Sequence, residues 1–199
     1  MAVFDHVDLQ IRRGSHTVVT GRSGSGKTTL LLVLAGLLVP SEGTVRWPGL
    51  STDPRRRRAD IGMVFQAPSL MPELNAVENV TLPMRLRGTS IEESRLEAQK
   101  ALGVVGGSDL ADARPDQLSG GQQQRVAVAR ALAGKHRLIL ADEPAGSLDR
   151  VHAHQIVDAL RAAIAAEGGA LVLATHDDEL AAEFPERLEI TGSAPTVVP

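Results

Sequence analysis

The eight residues Gly21-Arg22-Ser23-Gly24-Ser25-Gly26-Lys27-Thr28 constrain the fold more than any other stretch of the chain. They fit G-x-x-x-x-G-K-[ST] and stand in the context that this pattern requires, after an apolar run ending at Thr20 and before an apolar helical stretch. Glycines are needed there because backbone amides must turn inward around an anion, at φ values and close distances that a Cβ forbids. The start of the following helix adds its partial positive charge. Lys27 then reaches the outer phosphates as a point charge, and the Thr28 hydroxyl is placed to ligate Mg²⁺. The loop, continued into Thr29, is expected to hold a nucleoside triphosphate; the alternative is a structural glycine-rich turn.

The rest of the chain reads as α/β with a mainly parallel sheet. Residues 18–20, 61–65, 138–141 and 171–174 are short apolar runs of the kind that form buried parallel strands. Between them, 28–38, 91–104, 122–133 and 149–167 carry apolar residues at helical spacing or are rich in Ala and Leu. Two regions break the alternation. Residues 7–11 and 43–47 predict short strands, a small antiparallel β appendage flanking the first helix, and residues from about 68 to 124 predict an inserted helical subdomain. One domain over 1–199 is therefore expected, with its core in 1–67 and 125–199 and no internal repeat.

Composition narrows the chemistry. With 43 % hydrophobic and 23 % charged residues the chain is globular, yet Phe4, Trp47, Phe65 and Phe184 are its only aromatics, so the core must be aliphatic. A formal net charge of −3 provides no general field for nucleic acid, and scarce aromatics disfavour base stacking. The absence of cysteine excludes disulfides, thiol nucleophiles and Cys-ligated zinc, and fits a reducing cytoplasm. The longest apolar run, residues 30–39, is ten residues long, against the ~20 that span a bilayer. No basic stretch precedes an apolar one at the start, so no secretory signal is expected. Arg55, Arg56, Arg57 and Arg58 follow a turn at 51–54 and read as a solvated loop, with a phosphate or membrane-surface contact as the other reading.

Two further features carry chemistry. Leu138-Ile139-Leu140-Ala141-Asp142-Glu143 is an apolar strand ending in adjacent carboxylates, at the edge where parallel sheets bind ligands. Asp142 suits a Mg²⁺ contact, and Glu143 a general base that polarises a water; taken alone, such a pair is more often a cap or turn. Leu118-Ser119-Gly120-Gly121-Gln122 opens another helix, with Ser119 as N-cap and two glycines that expose amides beside the positive helix end. A second phosphate-binding helix start in a chain that already has one suggests a nucleotide shared between subunits.

At this point the chain resembles the ATP-binding-cassette (ABC) ATPases, whose LSGGQ motif stands here as Leu118 to Gln122. The resemblance spans nearly the whole chain, in the family's order: the cradle at Gly21, Gln66 after a strand, LSGGQ, Asp142-Glu143, Ser147-Leu148-Asp149, and His176. It implies a P-loop NTPase core and a subunit that binds and hydrolyses ATP with Mg²⁺, pairs with a second cassette, and drives an integral membrane permease. By the same resemblance Gln66 would sit near Mg²⁺ and the attacking water and sense the membrane partner. Asp149 would lie at the dimer contact, and His176 would hold the γ-phosphate. Ser119, Gly120, Gly121 and Gln122 would close over the triphosphate held by the opposite cradle. The protein would work in the cytoplasm, peripheral to the inner face of the cell membrane.

Within the family, residues 64–74 and 77–84, together with Gln122-Gln123-Gln124-Arg125 and Gly146-Ser147-Leu148-Asp149, look like the group of macrolide-export and lipoprotein-release ATPases. Two departures stand out. The family's adenine-stacking aromatic lies upstream of residues 3–7, beyond where this sequence starts, and Phe4 matches a core position instead. Ala145 stands where Thr is common. Other classes remain at this stage: a regulatory cassette acting through a membrane partner without transport, and a cassette acting on DNA or ribosomes. The second is disfavoured by the short Gln66-to-Leu118 interval and by there being one cassette, so no nucleic-acid partner is expected.

Overall fold

The computed structural model describes residues 7–191 and 194–198. Six strands form one sheet in the order β2-β3-β4-β1-β5-β6, comprising β1 (His16–Thr20), β2 (Ile61–Val64), β3 (Leu138–Asp142), β4 (Ala170–Ala174), β5 (Glu186–Thr191) and β6 (Ala194–Val198). The first five in sequence run parallel, and β6 returns antiparallel along β5 at one edge. Every residue of β3 and β4 is buried, as a parallel sheet covered on both faces requires.

The two-residue period of a strand divides these side chains between two cores. Ile139, Ala141, Leu171, Leu173 and Val18 face one side, under α3 (Ala76–Leu86), α4 (Ile91–Val104), α5 (Gly120–Ala133) and α6 (Arg150–Ala166). Leu138, Leu140, Val172 and Val19 face the other, under α1 (Lys27–Leu34). The residues are Val, Leu, Ile and Ala almost throughout, so the aliphatic core follows from the composition, and each fully buried leucine contributes roughly 2 kcal/mol.

The helices between β2 and β3 are α3, α4 and α5, which pack on one another. Asn75 and Glu78 cap α3 reciprocally, and Ser90 caps α4, so the boundaries of both are set by local side chains. The helix α5 runs unbroken across residues 120–133 and packs on the strand β2 as well as on α3 and α4.

Three expectations need correction. Residues 7–11 and 43–47 form no strands; the antiparallel pairing in the described residues is β5 with β6. Both segments alternate exposed and half-buried residues, but neither has a ladder partner, and Val7, Leu9, Ile11, Val45 and Trp47 line an apolar groove of about 800 Å³ instead. The arginine run is not a loop. It forms α2 (Pro54–Asp60), because Asp53 accepts from the Arg55 amide as N-cap and Pro54 occupies the first turn, where its missing N–H costs nothing. Arg57 lies over the Trp47 ring, 4.2 Å from its centroid.

His136, on the approach to β3, is buried against two glycines. A Cβ at Gly62 would fall 2.9 Å from its Cγ, and one at Gly134 would meet the same ring. Its Nδ1 bonds to the Ala59 carbonyl at 3.0 Å, and burial pulls its pKa down to about 4. The unfolded chain takes up this proton near pH 6.5 and the folded one only near 4, so stability present above 6.5 is lost as pH falls between those values. From pH 7 to 5 the expected loss is about 2 kcal/mol. Urea unfolding at both pH values should show a change smaller by that amount in His136→Gln; an unchanged difference would contradict the buried neutral ring.

Candidate functional site

The parallel strands end together, and the predicted chemistry collects at their C-terminal edge. Register pairs Val64 with Ala141, Asp142 with Ala174, and Ala174 with Val19. Gln66, Asp142-Glu143, His176 and the loop from Gly21 are therefore the next residues out from four adjacent strands.

The loop has the backbone expected of an anion cradle. Gly21, Gly24 and Gly26 have φ of 152°, 79° and 103°, and Gly26 occupies the left-handed region as N-cap of α1, with no side chain capping the helix amides. A Cβ at Gly21 would stand 2.6 Å from the Ile190 carbonyl and from Ser25 Oγ, so the close approach needs glycine. Arg22, Ser23 and Gly24 are exposed at the loop crest, and Ser25 Oγ is buried without a hydrogen-bond partner. Lys27 is buried, with Nζ donating to the Gly21 carbonyl at 2.8 Å and to the Arg22 carbonyl at 3.3 Å. Its charge thus lies inside the loop, where phosphate oxygens would replace those carbonyls. Thr29 follows on α1, half-buried.

Thr28 and Asp142 meet directly: the Thr28 hydroxyl donates to Asp142 Oδ2 at 2.6 Å. Burial raises the Asp142 pKa, the Thr28 bond opposes the rise, and the Glu143 charge adds to it. A divalent cation here would favour the charged carboxylate. The pair supplies one hydroxyl and one carboxylate oxygen, which suits Mg²⁺, an ion usually held by one or two protein ligands together with substrate phosphates and water. Among the described residues there is no larger cluster of His, Asp and Glu that could hold a metal ion.

Glu143 is held in an unusual conformation. Its φ is +45°, outside what most side chains adopt, while its amide donates to the Ala174 carbonyl at 2.9 Å. The side chain is buried. His176 Nδ1 lies 2.7 Å from Oε1, and the Thr175 hydroxyl donates to Oε2 at 3.2 Å. The His176 side chain is 71 % exposed. Thr175 was not among the residues singled out from sequence. The signal for it was the register, which sets residues 142 and 174 side by side and so makes 143 and 175 neighbours.

Gln66 is exposed just beyond β2, and no hydrogen bond fixes its side chain among the described residues. The backbone around it is held from α5: Gln124 Nε2 donates to the Phe65 carbonyl at 3.3 Å, and Arg130 to the carbonyls of Pro68 and Ser69 at 3.1 and 3.0 Å.

Ser119 caps α5 as expected, accepting from the Gln122 amide at 3.3 Å while Gln122 Oε1 accepts from the Ser119 amide at 2.8 Å. This helix start is not brought to the chain's own cradle by any hydrogen bond among the described residues. Gly121 instead packs on Ser147 and Leu148, and Gly120 has open space where a Cβ would stand. Asp149, exposed, caps α6 by accepting from the His152 amide at 3.1 Å and bonds its ring at 2.5 Å; these bonds lower its pKa. Phe4 lies outside the described residues. Trp47 donates to the Leu34 carbonyl at 2.8 Å and belongs to the apolar groove, whose lining includes none of the loop glycines.

Comparison with known proteins gives the same picture. The family described as "ABC transporter" matches residues 4–146. A lipoprotein-releasing system ATP-binding protein, LolD, from Bordetella pertussis is 40 % identical over 195 residues, covering 94 % of this chain and 84 % of the relative. An uncharacterized ABC transporter ATP-binding protein, YbbA, from Escherichia coli is 43 % identical over 197 residues, covering 96 % and 86 %. Among solved structures, the dimeric post-hydrolysis state of the ATP-binding cassette MJ0796 bound to ADP and Pi superposes with a TM-score of 0.89 at 36 % identity, covering 99 % of this chain and 91 % of that one.

Proposed function

The chain belongs to the ABC transporter family, and on that premise we propose that it is the subunit that binds and hydrolyses ATP, pairs with a second cassette, and drives a membrane permease. The observation that carries this reading is the convergence of Lys27, the Thr28–Asp142 pair and the Glu143–His176 pair on one sheet edge, with the α5 start making no hydrogen bond to any of them among the described residues. A nucleotide in the cradle would meet charge and amides from one side only. The amides of Gly120, exposed, and Gly121, half-buried, in a second copy would supply the other side, as anion-binding helix starts do.

In this reading Gly21 to Gly26 wrap the phosphates, Lys27 neutralises the outer ones, and Thr29 continues the helix start beneath them. Thr28 and Asp142, together with Gln66, would hold Mg²⁺, which would supply positive charge to offset what builds on the phosphates during transfer. Glu143 takes the proton of the attacking water, and His176 holds the γ-phosphate. Ser119, Gly120, Gly121 and Gln122 cap the nucleotide of the opposite copy, and Asp149 lies at the contact between copies. One domain does this work, with residues from about 68 to 124 forming its helical arm and the rest its nucleotide-binding core.

No helix of the described residues is long and apolar enough to cross a membrane. We place the membrane permease near Gln66, and the cassette on the cytoplasmic face of the membrane that holds it, as the family resemblance implies. The purified chain is expected to release phosphate from ATP only when Mg²⁺ is supplied. Binding of neither ATP nor ADP in a titration would contradict the reading at its first step.

A further inference from the structure

Resting on this ATP-hydrolase reading, we propose that Thr175 is a positioning residue for the reaction: its hydroxyl sets the direction in which Glu143 presents its carboxylate. Thr175 is 3 % exposed, at the end of β4, and its hydroxyl is used twice. It accepts from the Asp177 amide at 3.1 Å and donates to Glu143 Oε2 at 3.2 Å. The first bond determines the second. With an N–H fixed on its lone pair, the hydroxyl has its proton steered towards the carboxylate rather than free to rotate.

Asp177 is itself anchored, because its side chain accepts from the Glu179 and Leu180 amides as the cap of α7 (Asp178–Ala182). The chain of contacts thus runs from a helix start through a buried hydroxyl to the oxygen of the base. Glu143 needs such a hold. Its backbone is at φ +45°, tied to Ala174 by one amide, and its other carboxylate oxygen meets His176, whose ring is exposed. Thr175 is the one buried, rigid group of the two, so it defines the orientation that persists whichever partner His176 takes. It touches neither nucleotide nor water in this scheme and acts through Glu143.

The test uses the whole 199-residue chain with Mg-ATP. Thr175→Val keeps shape and removes the hydroxyl, and Thr175→Ser keeps the hydroxyl and removes a methyl. In Val, kcat should fall by roughly 10- to 100-fold, the range that small misplacement of a reacting group produces, while KM stays within about threefold. Ser should retain kcat within about threefold of the parent. Thr175→Ala is run in parallel, since it removes the hydroxyl without setting a methyl against the carboxylate, and its loss should match that of Val. A Val or Ala variant that keeps the parent kcat, a loss expressed in KM alone, or a Ser variant as slow as Val would each overturn the assignment. Nucleotide titration of the same proteins separates the two levels: an inactive parent chain that still binds ATP refutes the hydrolase reading, whereas an active parent with an indifferent residue 175 refutes only this role.

Discussion

Glu143→Gln is expected to bind ATP as tightly as the parent chain and to hydrolyse it about 10²- to 10⁴-fold more slowly, the usual contribution of a positioned general base. The amide preserves shape and can still accept from the Thr175 hydroxyl at one end, so the strained turn at φ +45° has no new reason to relax. What disappears is the capacity to take a proton. Steady-state phosphate release and a calorimetric ATP titration on the same preparation measure both halves. Parental turnover in the variant would move the base to another residue, with His176 the nearest at 2.7 Å.

Lys27→Ala is expected to act on the other half of the cycle. The Nζ is buried inside the loop and bonded to two of its carbonyls, which in the proposed reading outer phosphate oxygens would replace. Losing a charge-assisted hydrogen bond costs roughly 1.5–3 kcal/mol, which corresponds to about 10- to 150-fold weaker ATP binding, and turnover should be undetectable at ordinary ATP concentrations. Arg56→Ala is the control, because that exposed cation on α2 is no part of the cradle. Calorimetry should separate the two substitutions clearly. Equal ATP affinity in Lys27→Ala and the parent would show that the cradle binds through its amides alone.

The shape of the glycine-rich loop and the place of the acidic strand end are legible in the residues themselves, because both depend on local rules. A glycine-rich turn between strand and helix has one geometry that suits it, and an apolar run ending in Asp142-Glu143 can place those carboxylates only at a sheet edge. The parallel core was legible for the same reason: Ile139 and Leu140 both demand burial, and only a sheet covered on both faces provides it.

What was not legible depended on partners distant in sequence. Residues 7–11 alternate as a strand should, yet alternation carries no information about whether a ladder partner exists. Thr175 reads as one more β-branched strand residue until register places it against Glu143. The arginine run concealed α2 because four like charges suggest a loop, while the capping side chain of Asp53 and the fixed φ of Pro54 decide for a helix. His176 and Gln66 were identified through the family's motif order rather than from the residues, since a lone His or Gln after a strand has many ordinary uses. The α5 start is a different case: its role requires a second copy, so no contact within one chain expresses it.

Sedimentation of Glu143→Gln with and without Mg-ATP, alone and combined with Gly120→Asp, tests most directly whether one copy's loop and another's helix start enclose the nucleotide together. Gly120 has nothing within 4 Å of a Cβ and is not at positive φ, so an aspartate fits the single chain without strain. The prediction is a dimer that forms only with ATP, and a doubly substituted chain that binds ATP equally well but stays monomeric, because its carboxylate faces the partner's phosphates. A Glu143→Gln chain that remains monomeric when saturated with ATP, or a dimer indifferent to aspartate at position 120, would contradict it.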